Sequence, residues 1–223
     1  MKPWELLDSS EVAGKAEAMK LYQRGDVFSI KTGYSELMNS RMHGSEDALA
    51  ELGCKKLKKQ TQARVLIGGL GMGFTLTECL KHVANDAEVV VAELVPAVIK
   101  WNKTHLSALA GHPLKDKRVN VYEGDVGKLI RAEKGGFDAI LLDVDNGPEG
   151  LTRKENDALY SPSGLKAALA GLRPHGVFGV WSSFPDPRFS KRMQRAGFKV
   201  EEIRVRAHGK RGSKHMIWLG STG

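Results

Sequence analysis

The apolar positions change period along the chain. From residue 63 onward, short apolar runs alternate with stretches of helical spacing. The runs are Arg64–Ile67, Glu88–Ala92, Val119–Tyr122, Phe137–Leu142 and Gly176–Trp181, and helical spacing fills Thr75–Val83 and Pro96–Thr104. Ala139-Ile140-Leu141-Leu142 has no polar position, the mark of a strand covered on both faces. This alternation predicts an α/β fold built on a doubly wound, mostly parallel, Rossmann-like sheet. Two more strand-like segments, Phe198–Arg206 and Lys214–Leu219, predict an antiparallel edge.

The first third reads differently. Met19-Lys20-Leu21-Tyr22 and Val27-Phe28-Ser29-Ile30 alternate around Gln23-Arg24-Gly25-Asp26, a hairpin signal, and Thr32-Gly33 marks a second turn. A ribbon this small must lean on a larger body. Ser45 is expected to cap a helix running to about Lys59, with Glu46 and Asp47 favouring its dipole. The predicted division is a β-ribbon and helix module over residues 1–60 and a nucleotide-binding catalytic domain over 61–223. Exposed ribbon strands predict a homodimer.

Composition narrows the class. Hydrophobic residues make up 41% and charged residues 27%, as in an ordinary globular protein rather than a disordered one. No apolar run approaches the roughly 18 residues that span a bilayer, and Met1-Lys2-Pro3-Trp4-Glu5 lacks the pattern of an export signal. Cys54 and Cys79 have neither disulfide density nor metal-ligand spacing, and the seven histidines include no i, i+4 pair, so neither a metal nor a membrane is expected. The expected compartment is the cytoplasm. A net charge of +8 raises the possibility of nucleic acid. However, the late basic residues, Arg188, Lys191, Arg192, Arg195 and Lys199, then Arg204, Arg206, Lys210, Arg211 and Lys214, lack interleaved aromatics. A solvated basic surface is the favoured reading.

Candidate chemistry sits where strands end. Val65-Leu66-Ile67-Gly68-Gly69-Leu70-Gly71-Met72-Gly73 follows a strand and opens a helix, and glycine there lets a backbone turn sharply and approach a ligand. Gly69, Gly71 and Gly73 fit G-x-G-x-G, whereas the dinucleotide form would put glycine at Phe74; the spacing favours an adenosyl-sulfonium nucleotide over NAD. Glu93 ends the next strand, where a carboxylate accepts from both ribose hydroxyls. Gly124-Asp125 closes the third strand, where an acid accepts from the adenine amino group. Asp143-Val144-Asp145-Asn146-Gly147-Pro148 closes the most apolar strand. All four predicted strand ends deliver polar groups to one crevice.

On these residues the chain resembles the spermidine synthase family, the polyamine aminopropyltransferases, within the class I methyltransferase-like superfamily. The resemblance runs to about Trp181 and is most specific from Val65 to Gly176. It equates the family's glycine turn with Gly69–Gly73, its ribose-binding Glu with Glu93, its adenine-side Gly-Asp with Gly124-Asp125, and its catalytic Asp with Asp143. Asp145 stands roughly for the second Asp of the family's D-x-x-D-P run. The departures fall on the acceptor side: Asp145-Asn146-Gly147-Pro148 is compressed, Met72 replaces the Asp of the glycine turn, a family Tyr falls near Leu165, and Met42-His43-Gly44-Ser45-Glu46 occupies the neighbourhood of a Tyr-His-Glu segment.

The resemblance implies transfer of an aminopropyl group from decarboxylated S-adenosylmethionine to an amine. The acceptor arrives protonated, its pKa near 10.4, and Asp143 is the expected base. Asp145 and Glu149 are candidates to hold the cationic remainder of a polyamine. Trp181 and Tyr160 are candidates for the acceptor pocket, with simple packing the alternative for both. Two other readings stay open: an S-adenosylmethionine-dependent methyltransferase acting on a small molecule or RNA, and a nucleotide-binding relative without catalysis.

Overall fold

The computed structural model describes residues 2–12, 17–144, 158–208 and 211–222. Two sheets organise them. The first is antiparallel, in sequential order: β1 (Glu5–Ser10), β2 (Met19–Arg24), β3 (Val27–Thr32) and β4 (Ser35–Asn39). Gly25 and Gly33, at φ 64° and 57°, make its last two turns. Leu21 faces Ile30 across β2 and β3, and both are buried.

Helix α1 (Gly44–Cys54) leads into the second sheet. There β5 (Arg64–Gly68), β6 (Glu88–Glu93), β7 (Val119–Glu123), β8 (Phe137–Leu142) and β9 (Leu172–Ser182) run parallel, and β10 (Lys199–His208) and β11 (Arg211–Ser221) complete it. The strand order is β10-β11-β9-β8-β5-β6-β7, with β11 antiparallel to both its neighbours. The connecting helices are α2 (Phe74–Lys81), α3 (Pro96–Lys103), α4 (Val126–Ala132), α5 (Pro162–Gly171) and α6 (Pro187–Ala196).

Two apolar cores lie on opposite faces of this sheet. Val65, Ile67, Ala139 and Leu141 enter the core shared with α1, α2 and α3, while Leu66, Ile140 and Leu142 enter the core shared with α4, α5 and α6. Successive strand side chains point to opposite faces, so a strand covered twice must be apolar throughout.

Three expectations change in detail. Strand β1 was not foreseen; its ELLDSS sequence carries little apolar signal, and polar bonds fix it instead. Asp8 Oδ2 accepts from Lys100 Nζ at 2.9 Å and from Trp101 Nε1 at 2.8 Å, tying β1 to α3. Ser45 does not cap α1, which begins two residues earlier, at Gly44, with His43 at the cap position and stops at Cys54. Strand β9 begins at Leu172, because a register shift opposite Phe137 and Ala139 accommodates Arg173-Pro174-His175.

Candidate functional site

The order of the parallel strands reverses beside β5, between β6 and β8, and a crevice opens there outside the carboxyl ends. Backbone bonds knit the strand ends together: Gly69 N–H donates to Ala92 O, Asp143 N–H to Gly68 O, and Gly124 N–H to Glu93 O, at 2.8, 2.8 and 2.9 Å. The glycine turn is built for close approach. Gly69 has φ 91°, and a Cβ there would lie 2.2 Å from the Asp143 carbonyl oxygen. Gly73, at φ 87°, opens α2. Gly71 lines the crevice and its carbonyl accepts from Asn102 Nδ2 at 2.8 Å.

Of the residues expected at the site, Gly69, Gly71, Glu93, Gly124, Asp125, Asp143 and Trp181 line one cleft. Gly73 stands just behind it as the helix start. Glu93 is buried; its two oxygens accept from Leu70 N–H at 3.0 Å and Val95 N–H at 2.8 Å. Asp125 caps α4, accepting from Gly127 N–H at 2.7 Å, and its other oxygen lies 3.5 Å from Arg131. Leu94, Val95 and Val126 give this end of the cleft apolar walls, the surroundings a flat aromatic base requires.

Asp143 Oδ2 accepts from Thr75 Oγ1 at 2.6 Å. Burial pushes its carboxyl up to about 6, against the Thr75 bond and with help from the Glu93 charge. Sequence reasoning gave Glu46 only a helix-dipole role, yet it also lines the cleft. Burial, and then the charge of Asp143, push it up to about 8, against a hydrogen bond from Ser45. The signal available was its place in Met42–Glu46, the segment that departs from the family's pattern. Glu46 and Asp143 also border a smaller annex, with Asn39, Met72 and Phe74 among its walls. The cleft therefore holds four carboxylic side chains, Glu46, Glu93, Asp125 and Asp143, and none of the described residues lining it is a lysine or arginine.

Tyr160 lies elsewhere. It is buried in the core under α5 and α6, edge-on to Phe189 at 5.6 Å, away from the cleft-lining residues. Leu165 is in the same core. Trp181 reaches the cleft, and its indole meets His215 edge-on at 4.9 Å. Asp145 and Glu149 lie outside the described residues. Among the described residues, no three or more His, Cys, Asp or Glu side chains form a group that could hold a metal, and no helix is long and apolar enough to cross a membrane.

The roof of the cleft comes from the first sheet. Met19, Ile30, Thr32, Leu37 and Met38 line it from above, and a Cβ on Gly71 would meet Met38 Cε at 2.6 Å. A doubly wound sheet with a glycine turn, an acid ending each of β6 and β8, and an antiparallel edge defines a class I methyltransferase-like scaffold. The Spermine/spermidine synthase domain matches residues 42–186, most of the chain, and the chain belongs to that family.

Curated relatives include polyamine aminopropyltransferases from Clostridium tetani, 35% identical over 122 residues, and from Prochlorococcus marinus strain AS9601, 30% identical over 126. These alignments cover 55% and 56% of this chain but only 41% and 42% of the relatives, so the chain spans about two fifths of the curated proteins it matches. The spermidine synthase from Thermotoga maritima superposes with a TM-score of 0.75 at 17% identity, covering 98% of this chain and 73% of that one. A spermidine synthase in complex with the transition-state analogue AdoDATO gives the same TM-score and identity. At such identity the likeness speaks to fold.

Proposed function

We propose that the chain moves an aminopropyl group from decarboxylated S-adenosylmethionine to a primary amine, with Asp143 as the base. The observation that carries this reading is the convergence of Glu46, Glu93, Asp125 and Asp143 on one cleft that no lysine or arginine lines among the described residues. Both substrates are cations, a sulfonium bearing a propylamine and an ammonium acceptor, and a cleft of this charge suits both. S-adenosylmethionine itself carries an α-carboxylate beside its amine. Among these acids that group is repelled, which favours the decarboxylated nucleotide over methyl transfer.

Each residue has a physical task. Gly69 and Gly71 let the nucleotide approach the backbone, Glu93 takes the ribose hydroxyls, and Asp125 takes the adenine amino group. Asp143 accepts the acceptor's proton so that the nitrogen lone pair can attack the carbon next to sulfur. A base at about 6 stays ionised at neutral pH while remaining more basic than an ordinary carboxylate. Trp181 walls the acceptor side. The nucleotide supplies the leaving group, and the chain supplies alignment and electrostatics. In this reading residues 1–60 roof the cleft and 61–223 hold the chemistry.

The free thiols Cys54 and Cys79 fit a reducing cytoplasm. The open edges of the first sheet, β1 and β4, favour a homodimer, which light scattering after size exclusion tests. For activity, the protein is incubated with decarboxylated or intact S-adenosylmethionine and with putrescine, cadaverine or spermidine. Methylthioadenosine released only with the decarboxylated nucleotide supports the reading. S-adenosylhomocysteine instead means methyl transfer, and nucleotide binding without either product means a non-catalytic relative.

A further inference from the structure

This inference rests on the acceptor being a protonated amine, as proposed above. Each turnover then liberates one proton. An N–H bond breaks, the nitrogen pair forms the new N–C bond, and the C–S pair goes to sulfur. The proton taken up by the carboxyl pair in the cleft must still reach water. A row of hydrogen-bonding groups leads outward from Glu46. Ser45 Oγ lies 2.5 Å from Glu46 Oε2 and 2.8 Å from His215 Nδ1, and His215 Nε2 lies 2.8 Å from Ser213 Oγ. Ser45 is buried, His215 half-buried and Ser213 exposed, so the row crosses from the cleft to the surface. It joins the first turn of α1 to β11, elements far apart in sequence.

We propose that Glu46, Ser45, His215 and Ser213 form a two-state hydrogen-bond chain through which the proton taken from the acceptor leaves the cleft. Each hydroxyl has one proton to give, so only two directions of donation are self-consistent. With Glu46 ionised, Ser45 donates to Glu46, His215 Nδ1–H donates to Ser45, and Ser213 donates to Nε2. With Glu46 protonated, its O–H donates to Ser45, Ser45 donates to Nδ1, and Nε2–H donates to Ser213. Passing from the second state to the first moves one proton from Glu46 to Ser213, which gives its own to water. The bonds to hydrogen that break equal those that form, and the imidazole stays neutral. The half-buried ring then exchanges its proton with water and returns from the Nδ1–H to the Nε2–H tautomer.

The surroundings suit a relay. Burial lowers the pKa of His215, which keeps the ring neutral at physiological pH, able to donate through one nitrogen and accept through the other. Trp181 packs against the ring at an interplanar angle of 77° and helps fix its plane. Among the described residues, the charged and titratable groups around the chain are few. Asp143 and Asp47 act on Glu46, Glu93 acts on Asp143, and His43 holds Asp47 at 2.8 Å. On the strand side, Lys214 is exposed, and His208 bonds the Arg41 carbonyl at 3.1 Å.

Histidine-selective nitrogen NMR on the whole chain reads the tautomer without any ligand. His215 is expected to carry its proton on Nε2 below pH 7 and on Nδ1 above pH 9, following the ionisation of Glu46 near 8. Ser45→Ala abolishes the change and Ser45→Thr restores it, and thermal melts of both separate this from misfolding. During turnover with decarboxylated S-adenosylmethionine and a diamine, Ser45→Ala and His215→Gln lower kcat about tenfold at pH 7, with the nucleotide KM unchanged. The loss shrinks below about twofold near pH 10, where much of the acceptor arrives already deprotonated. A tautomer constant with pH, or one that changes identically in Ser45→Ala, overturns the chain even when the wild type turns over. A tautomer switch without methylthioadenosine release instead overturns the assigned reaction.

Discussion

Replacing Glu46 with glutamine should make the free protein more stable, and only at high pH. The Glu46 carboxyl is pushed from 4.5 to about 8, first by burial and then by the charge of Asp143. An acid whose folded-state pKa is raised contributes stability that is complete below its unfolded value, here near 4.5, and lost as pH rises through its folded value near 8. At 1.36 kcal/mol per unit, the whole shift corresponds to a ceiling of about 5 kcal/mol above pH 8. Two effects reduce it: Asp143 relaxes once its neighbour is neutral, and the cleft opens to water, which screens the pair. A gain of about 1–2 kcal/mol at pH 9 remains, which raises the melting temperature by roughly 3–6 °C for a chain of this size. At pH 5 both carboxyls are largely protonated, and the melting temperature should match the wild type within about 1 °C. Calorimetric melts at pH 5, 7 and 9 measure this. An equal gain at pH 5 and pH 9, or a loss at pH 9, refutes the assignment of Glu46 to a charge-loaded cleft. The same substitution should weaken diamine binding, the expected exchange of function for stability at a binding site.

Asp143→Asn should cut methylthioadenosine formation by about 10²-fold or more, with nucleotide affinity by calorimetry within roughly threefold; unchanged turnover removes Asp143 as the base. Gly69→Ala places a Cβ against the Asp143 carbonyl at 2.2 Å and forces an L residue to φ 91°. It should cost about 1–3 kcal/mol in chemical denaturation and abolish measurable nucleotide binding. Asp8 is held at about 2 by hydrogen bonds from Lys100, Trp101 and Ser9, so its contribution is present above about 4 and lost as pH falls through 2. Asp8→Asn should therefore speed proteolysis within the first sheet at pH 7, and this difference from the wild type should narrow by pH 2 under an acid-active protease.

The parallel sheet was legible because its central strands are covered on both faces, which leaves no polar position to confuse the reading of Phe137–Leu142. The acids at the strand ends were legible for a related reason: where an apolar run stops, the next residues stand at the mouth of the crevice. Gly69, Glu93, Asp125 and Asp143 are all found this way. Strand β1 was hidden because Asp8 docks it through polar bonds, and a polar dock leaves no periodic trace. Glu46 was hidden more deeply. Its local setting, an acid in the first turn of a helix, has an ordinary explanation in the helix dipole, and its approach to Asp143 depends on how α1 packs on β8 and β9. Tyr160 failed in the opposite direction: position after a loop put it in the right region of the chain, but its side chain turns into the core beside Phe189.

Net charge points the wrong way here. A chain at +8 reads as a binder of anions, yet its cleft holds four carboxylic side chains. The contradiction dissolves once the charges are located. Arg188, Lys191 and Arg195 are exposed on α6, and Arg204 and Arg206 on β10, the outermost strand, three strands from β8, where Asp143 stands. Charges screened by water fade over a Debye length of about 8 Å at physiological ionic strength, whereas Glu46, Glu93 and Asp143 act across a partly dry cleft where screening is weak. A small cation entering between the two sheets is governed by those acids and hardly by the basic edge. Substrate class therefore has to be read from the groups a molecule would touch, and the amine proposed above rests on those groups.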